Sequence, residues 1–197
     1  MKSVLMLLVR SAAVVLVAGL AACQSPPTPA FPEITFRHLQ PIRLDVADIE
    51  YVETYKSPRA APNVEHLFPV QLAPTVRRWV TERFDAVGIT RRARVTLVNA
   101  AVTETSLKTK KGLSGLFYND QAVRYDGTVE VRVEILDDRG LVTGHVRAAA
   151  KRSQTVAEDI TLNERDEVWF TFTEELMKAL DAELDKTIRT YLAPYVR

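Results

Sequence analysis

The stretch VRYDGTVEVRVEIL, residues 123–136, decides the fold of this chain. From position 128 to position 135, polar residues and β-branched apolar residues alternate one by one. Successive side chains of a strand point to opposite faces of a sheet, so the alternation predicts a strand with one buried and one solvated face. The apolar positions are Val129, Val131, Val133 and Ile135, and the polar ones are Thr128, Glu130, Arg132 and Glu134.

Segments on both sides predict strands that pair with this one. Asp137–Gly140 (DDRG) has the composition of a tight hairpin turn, and the segment LVTGHVRAAAKRSQTVA after it is expected to return antiparallel. The Val- and Thr-rich segment Ala93–Leu107 predicts a strand on the amino-terminal side. Charged residues along the hairpin predict that one face of the sheet is exposed to solvent. These residues are Glu130, Arg132, Arg147 and Lys151.

A first strand is predicted within Ile34–Tyr55, where apolar residues again alternate with polar ones. The alternation slips once, and its apolar positions are Ile42, Leu44, Val46, Ile49 and Tyr51. The segment Lys56–Pro74 contains four prolines and is expected to be an ordered loop on the domain, because long connections in a compact fold are usually packed.

Two segments have the three- and four-residue spacing of a helix that buries one face. The first is Ala73–Ile89, in which Gly88 has the position of a carboxyl-terminal cap. The second extends from Thr161, with Glu164 placed for a capping box, to a stop at Pro194. The apolar stripes are Val76, Trp79, Val80, Phe84 and Val87, then Leu176, Leu180, Leu184, Ile188 and Tyr191; the solvated side of the second helix is expected to carry Glu174, Glu175, Lys178, Asp181, Glu183 and Lys186.

The order strand, helix, three strands, helix predicts an α+β fold. We expect a two-layer sandwich in which a mostly antiparallel sheet of about four strands carries both helices on one face. About 165 residues follow the amino-terminal region, which is enough for one domain with a hydrophobic core.

The amino terminus has the layout of a secretory signal. Lys2 and Arg10 give a positive start, and the small and apolar residues Ser11–Ala22 would span roughly 18 Å as a helix, short of the ~30 Å hydrocarbon core of a bilayer. Residues 20–23, LAAC, resemble the lipobox of bacterial lipoproteins. The resemblance implies a diacylglyceryl group on the Cys23 sulfur and removal of the preceding residues; the alternative is an ordinary signal peptide followed by a stray cysteine.

Three regions are therefore expected: a signal peptide at 1–22, a lipidated cysteine with a proline-rich linker at 23–33, and one periplasmic α+β domain at 34–197. The linker QSPPTPAFP favours an extended, semi-rigid spacer. In lipoproteins of this type, an Asp after the cysteine favours retention at the inner membrane. Gln24 stands there instead, which implies anchoring at the periplasmic face of the outer membrane.

Composition argues against several classes of function. Removal of residues 1–22 changes the net charge from +1 to −1, so the chain has no basic footprint for nucleic acid. Cys23 is the only cysteine, which excludes a disulfide and a thiolate metal site within the chain. His38, His66 and His145 lack metal-ligand spacing, and neither a phosphate loop nor a nucleophile elbow is present. We expect no cofactor, no metal and no enzymatic activity.

The segment Ser106–Gln121, SLKTKKGLSGLFYNDQ, is the first candidate for binding. It joins two predicted strands and is too long for a tight hairpin. Cations beside apolar and aromatic groups suit an amphiphile with an anionic head or a membrane interface, whereas the structural alternative is a hairpin extension whose apolar residues enter the core. The candidate residues are Lys108, Lys110, Lys111, Leu116, Phe117 and Tyr118.

A second candidate is NVEHLFPVQ, residues 63–71, within the proline-broken loop. Leu67, Phe68 and Val70 could dock a partner protein, but the favoured interpretation is a plug that closes one end of the two-layer core. Trp79 and Trp169 are expected in the core rather than on a ligand platform.

The lipobox, the proline spacer and the order of elements together resemble the small periplasmic α+β accessory lipoproteins. These include the LPS-assembly lipoprotein that partners the outer-membrane LPS translocon and the auxiliary lipoproteins of ABC-type lipid transporters. The resemblance implies a non-enzymatic accessory role in envelope assembly or lipid and LPS transport, with the membrane and an envelope protein as partners. The alternatives are a periplasmic carrier or sensor of an amphipathic ligand and, as a remote third, a hydrolase with an unrecognised site.

Overall fold

The computed structural model describes residues 30–107, 121–157 and 160–197, of which Phe31–Arg197 belong to one compact unit. Two short 3₁₀ turns, Glu65–Leu67 and Ala193–Tyr195, accompany two helices and six strands in the described part. In chain order these are β1 (Ile42–Leu44), β2 (Asp48–Glu53), α1 (Leu72–Arg83), β3 (Phe84–Ala86), β4 (Arg92–Ser106), β5 (Gln121–Leu136), β6 (Val142–Ala157) and α2 (Leu162–Tyr191).

The main sheet has the strand order β2-β4-β5-β6, and β5 is one of its two central strands. β4, β5 and β6 pair antiparallel, and their register places Val95, Val133 and Val146 side by side on the buried face. β2 pairs parallel with β4, which makes the sheet mixed but mostly antiparallel. The predicted α+β fold class with a four-stranded sheet is confirmed.

The hairpin turn between β5 and β6 lies where the sequence predicts it. Asp137 and Leu141 are joined by a backbone hydrogen bond of 2.9 Å, and the Asp137 carboxylate accepts from the N–H groups of Arg139 and Leu141. Gly140 has a φ of +80°, a left-handed conformation that an L side chain disfavours. The DDRG stretch therefore supplies both the capping carboxylate and the residue that allows the reversal.

The predicted order of elements is only approximately correct. The single first strand is in fact two, β1 and β2, separated at the slip in the alternation. Helix α1 ends at Arg83, five residues before the predicted Gly88 cap, and Phe84–Ala86 continue as β3, which pairs parallel with β1. Phe84 keeps its buried place although its backbone is extended. Because Phe84 is buried both in the predicted helix and in the observed strand, the spacing of apolar residues could not locate the end of the helix.

Gly88 serves a close backbone approach rather than a helix cap. Its N–H donates to the Val46 carbonyl (2.9 Å), and a Cβ atom at this position would lie 2.6 Å from the carbonyl carbon of Asp45. The glycine thus lets the segment after β3 lie against the turn between β1 and β2.

Both helices cover one face of the sheet and enclose a single hydrophobic core. The largest side chains in that layer, among them Trp79, Phe172, Leu176 and Leu180, are fully buried. On the opposite face, charged side chains from neighbouring strands form exposed or half-buried ion pairs, such as Arg94 with Glu50 and Arg147 with Glu130. Arg147 and Lys151 are exposed, which confirms the solvent-exposed face.

Helix α2 confirms its predicted start and most of its stripe. Thr161 and Glu164 form the reciprocal capping box, and the four aliphatic residues of the stripe are buried, namely Leu176, Leu180, Leu184 and Ile188. Two predictions are wrong. Tyr191 is 71% exposed, because the helix there has passed the edge of the core, and Asp181 faces α1 instead of solvent, where it accepts from Trp79 Nε1 and Arg83 Nε at 2.8 Å each.

Candidate functional site

Every residue of the predicted site falls outside the part of the chain that the structure describes. This holds for the lipidation candidate Cys23 and for the loop candidates Lys108, Lys110, Lys111, Leu116, Phe117 and Tyr118. The described strands do fix where that loop is attached. Ser106 at the end of β4 pairs with Val123 near the start of β5, so residues 107–120 join adjacent antiparallel strands. We call this end of the sheet the loop end, and the end with the Asp137–Leu141 turn the hairpin end.

The first described residues follow the two helices away from the loop end. Phe31 stacks on Phe170 in α2, with ring centroids 5.3 Å apart. Further along the chain, Glu33 accepts from Arg78 (2.6 Å), and the Phe36 N–H donates to Glu82 Oε2 (2.7 Å) in α1. The chain therefore reaches the domain beside α2, one residue beyond Trp169 and close to the loop end.

The segment at residues 63–71 is a plug, as the favoured interpretation predicts. Phe68 is 3% exposed, stacks on Trp169 at 4.7 Å and makes a T-shaped contact with Phe172. The Val70 carbonyl accepts from Thr173 Oγ1 in α2 (3.1 Å), while the Val64 N–H donates to Val102 in β4. Leu67, in contrast, is 56% exposed. The segment closes the core near the loop end and leaves one apolar side chain in solvent.

A buried carboxylate ties the same segment to the sheet. Glu65 Oε1 accepts from the hydroxyls of Tyr55 (2.7 Å) and Ser57, while Oε2 accepts from the N–H of Val102 (3.1 Å) and Nδ2 of Asn63 (3.3 Å). Burial alone would raise the pKa of Glu65, but these hydrogen bonds outweigh it and hold the pKa below its usual value of 4.5.

This arrangement points to structure rather than catalysis. Both oxygens of Glu65 are engaged by donors from the loop and the sheet, so none is left to act as a general base. Burial and then Glu65 raise the pKa of Tyr55 well above its ordinary value, which keeps the hydroxyl protonated as a donor. A surface pocket of about 280 Å³ lies beside the cluster, and its lining includes Glu53, Lys56, Arg59 and His66.

The histidines do not converge on a metal site. His38 and His145 are exposed on different elements, and His66 is half-buried in the plug. Within residues 30–107, 121–157 and 160–197, no group of three His, Cys, Asp or Glu side chains could hold a metal ion. Over the same residues, no helix is both long enough and apolar enough to cross a membrane.

Trp169 and Phe172, one turn apart on α2, join the plug to the sheet and to two arginines. Trp169 is 2% exposed, as the sequence predicts for a core residue, and the Tyr125 ring of β5 meets it edge-on at 5.8 Å. The Arg165 guanidinium lies 4.5 Å from the centre of its ring, and the Arg152 guanidinium of β6 lies 5.9 Å from the ring centre of Phe172. Sequence analysis missed these arginines.

A signal for one of them is present in the sequence. The buried face of β6 contains Val146, Ala148 and Ala150, and the next residue on that face is Arg152. An arginine that continues an alternation of buried apolar residues marks a place where the core opens or a ligand enters, because a charge is seldom buried without a partner. Arg165, four residues before Trp169 on α2, carries no such mark by itself.

Comparisons with known proteins find similarity to solved structures at low sequence identity. No protein-family model matches it, and no curated protein matches it. Among solved structures, it is similar to rare lipoprotein B from Shewanella oneidensis, at 12% identity over 71% of this chain and 92% of that chain, with a TM-score of 0.37. It is also similar to a minor lipoprotein from Acinetobacter baumannii, at 11% identity over 68% of this chain and 92% of that chain, with a TM-score of 0.32.

Proposed function

We propose that this chain is a lipid-anchored, non-enzymatic accessory protein of the bacterial cell envelope that binds a protein partner in envelope assembly or in lipid or LPS transport. The observation that carries the proposal is the LAAC sequence at residues 20–23. A thioether-linked lipid on Cys23, with further acylation, would hold the domain at a membrane surface. Because Gln24 follows Cys23, the periplasmic face of the outer membrane is the proposed location.

The described domain supports a binding role over catalysis. Its one buried carboxylate with a dense set of donors, Glu65, is used to attach the plug to the sheet. At the hairpin end, by contrast, Ile89, Leu141 and Val142 leave their apolar side chains in solvent. A hydrogen bond of 3.1 Å from the Arg91 N–H to Asp138 Oδ1 holds the two loops that carry them together. Exposed apolar groups gathered at one end are typical of a protein contact.

The partner role is favoured over the carrier alternative. A carrier needs an apolar cavity of several hundred cubic ångströms, and the sequence analysis allows it either between sheet and helices or at the Lys108–Tyr118 loop, which lies outside the described residues. In the described structure the space between sheet and helices is filled by fully buried side chains, including Trp79, Phe172 and Leu176. The pockets of about 280 and 430 Å³ lie elsewhere, and charged residues such as Glu53, Arg59, Arg92 and Asp138 line them.

Lipid attachment is tested by metabolic labelling with a clickable palmitate in a bacterial host with an outer membrane. We expect the full chain to incorporate the label and the Cys23→Ser variant to lose it. An Arg43→Gln variant, altered at an exposed position in β1, serves as the control and should label like the original chain. Labelling that survives Cys23→Ser would overturn the anchor.

Partner binding is tested by crosslinking in intact cells, with the full chain as bait and gentle solubilisation afterwards. Recovery of a β-barrel or a transporter subunit would support the accessory role, and we expect the variant Ile89→Ser/Leu141→Ser to reduce it. Leu162→Ser, also at an exposed leucine but at the start of α2, is the matched control. Recovery of lipid alone at fixed stoichiometry would replace the proposal with the carrier role, and recovery of neither would contradict both.

A further inference from the structure

Four buried polar atoms between β6 and α2 make no hydrogen bond within the described residues. They are Arg152 Nε, Gln154 Oε1, Arg165 Nε and Trp169 Nε1. We call these four residues the arginine–tryptophan cluster. An unpaired buried donor costs about 1–3 kcal/mol, so one corner of a packed domain that contains several of them is a site that a ligand could satisfy.

The contacts around the cluster place its members in one corner, near the loop end. Trp169 and Phe172 are one turn apart on α2, and each lies under one of the two guanidinium groups. Gln154 pairs in register with Tyr125, whose ring meets the edge of Trp169. Gly127 in β5 pairs with Arg152, and a Cβ atom there would lie 2.5 Å from Phe172 Cε1. This glycine brings the helix close to the strand that carries Arg152.

The charges of the corner favour an anion. Within the described residues, neither Arg152 nor Arg165 forms an ion pair, whereas arginines on the solvent-exposed face of the sheet do. The acid that faces this corner from β4 is Glu104, in register with Tyr125. Burial and then Glu104 raise the pKa of Tyr125 to about 12, so its hydroxyl stays neutral at physiological pH. The indole N–H of Trp169 acts in the opposite direction because it lies near this hydroxyl, but the two groups lack the geometry of a hydrogen bond.

We propose that the arginine–tryptophan cluster binds an oxyanion of the phosphate type, held by the two guanidinium groups and the indole N–H of Trp169. Guanidinium forks match phosphate oxygens, and charge-assisted hydrogen bonds are roughly twice as strong as neutral ones. The Gln154 amide adds a third kind of donor when it is rotated by half a turn, since its oxygen and nitrogen can exchange places.

Two sources could supply this chemistry, a free phosphate or the headgroup of a lipid. Phe31 stacks on Phe170, the neighbour of Trp169, and it comes only eight positions after Cys23 in the chain. A chain of that length spans at most about 29 Å. If Cys23 carries a lipid, the membrane surface lies within that distance of the point where the chain meets the domain. The headgroup source therefore rests on the proposed function, while binding of the oxyanion does not.

The indole N–H groups report binding directly by ¹⁵N NMR on the labelled full chain in a non-ionic detergent. The chain has two tryptophans, and Trp79 Nε1 is already bonded to Asp181, so its resonance is an internal control for the fold. We expect inorganic phosphate to shift the resonance of Trp169 and to leave that of Trp79 in place. If the Trp169 resonance stays in place with every phosphate probe, the proposed site is wrong.

Variants distinguish binding of phosphate at the arginine–tryptophan cluster from nonspecific attraction of phosphate to surface arginines. We expect Arg152→Gln and Arg165→Gln each to weaken phosphate binding by about ten- to hundred-fold, the loss of one charge-assisted contact. Arg139→Gln, at an 83% exposed arginine in the hairpin turn, should leave it unchanged. Glu104→Gln should tighten binding, because it removes the negative charge that faces the corner. Equal weakening by Arg139→Gln would contradict the site.

The two sources are distinguished by a second titration with short-chain phosphatidic acid kept below micelle formation. A shift of Trp169 at lower concentration than with inorganic phosphate supports a lipid headgroup; an equal or weaker response supports free phosphate. The labelling of Cys23 is independent of both titrations. If the Trp169 resonance does not shift but Cys23 is labelled, only the oxyanion site is contradicted. If the resonance shifts but Cys23 is not labelled, only the lipid anchor is contradicted.

Discussion

At the scale of single residues, the plug shows how two adjacent apolar side chains acquire opposite roles. Phe68 enters the aromatic cluster with Trp169 and Phe172, while Leu67 points into solvent. Both belong to the same proline-broken stretch, and nothing in their local pattern separates them. Their difference arises from the extended backbone after the Glu65–Leu67 turn, which directs only one of them at the core.

The plug predicts unequal costs for two neighbouring truncations. We expect Phe68→Ala to lower the free energy of unfolding by about 3–5 kcal/mol, because it removes a fully packed aromatic ring and leaves a cavity beside Trp169. Leu67→Ala should change it by no more than about 0.5 kcal/mol. Urea denaturation followed by circular dichroism measures both values. Similar values for the two variants would show that the segment docks loosely.

Glu65 predicts an acid-sensitive contribution to stability. Its pKa in the folded protein lies below the usual 4.5, so its stabilisation is complete above that value and is lost as the pH falls through the folded pKa. We expect Glu65→Gln to be less stable than the original chain at neutral pH, and the difference between them to shrink below about pH 4.5.

The measurement for Glu65 is the free energy of unfolding from urea titrations at a series of pH values. Glu183→Gln, on the exposed side of α2, controls for the loss of one negative charge. A difference between Glu65→Gln and the original chain that stays constant down to low pH would show that the carboxylate does not titrate in this environment.

At the scale of elements, the two helices are joined through a buried arginine that no periodicity predicts. Arg83 at the end of α1 is almost fully buried and donates to Asp181 (2.8 Å) and Asp185 (3.2 Å) of α2. Asp185 also accepts from Arg189, and these bonds, with Arg189 the largest influence, hold the pKa of Asp185 below its usual range. A pattern of charges on two separate helices does not reveal which of them meet.

The buried arginine predicts unequal costs for two cations on one helix. We expect Arg83→Ala to lower the free energy of unfolding by about 3–5 kcal/mol, since it leaves the carboxylates of α2 desolvated without their cation. Arg77→Ala, which removes a more exposed pair with Glu53 at 3.5 Å, should cost about 0–1 kcal/mol. Chemical denaturation of both variants at low and moderate salt checks this. An Arg83→Ala cost as small as that of Arg77→Ala would contradict a buried ion pair.

At the scale of the whole molecule, the domain depends on a segment without helix or strand that leads from the predicted linker into the first strand. Ile34 and Phe36 are buried, and the segment that carries them is bonded to α1 through Arg78 and Glu82. We expect a chain that begins at residue 40 to be less stable than one that begins at residue 30. Burial of each of the two apolar side chains contributes about 1.5–3 kcal/mol.

Thermal unfolding of the two truncated chains measures this contribution. Phe36→Ala in the longer chain is the matched control and should reproduce part of the loss without removing backbone contacts. Equal melting temperatures for the chains that begin at residues 30 and 40 would show that the helices need no cover from this segment.

The sequence predicted what local chemistry specifies. The alternation in β5, the DDRG turn and the Thr161–Glu164 capping box are each visible in residues a few positions apart, and all three are present. The end of α1 was missed because Phe84 is buried in either conformation, and the candidate binding cluster was missed because Arg152 and Arg165 approach the same pair of rings from different elements.

By itself, the sequence determined the fold class, the central strands and a lipidation motif that remains a proposal. Only the tertiary structure decided that Glu65 is saturated by donors from three segments, that Asp181 faces α1 rather than water, and that unpaired donors gather beside Trp169. The physical reason is the separation along the chain of the residues that interact. Periodicity and turn chemistry act over a few residues, whereas burial and pairing of charges depend on distances between elements that are remote along the chain.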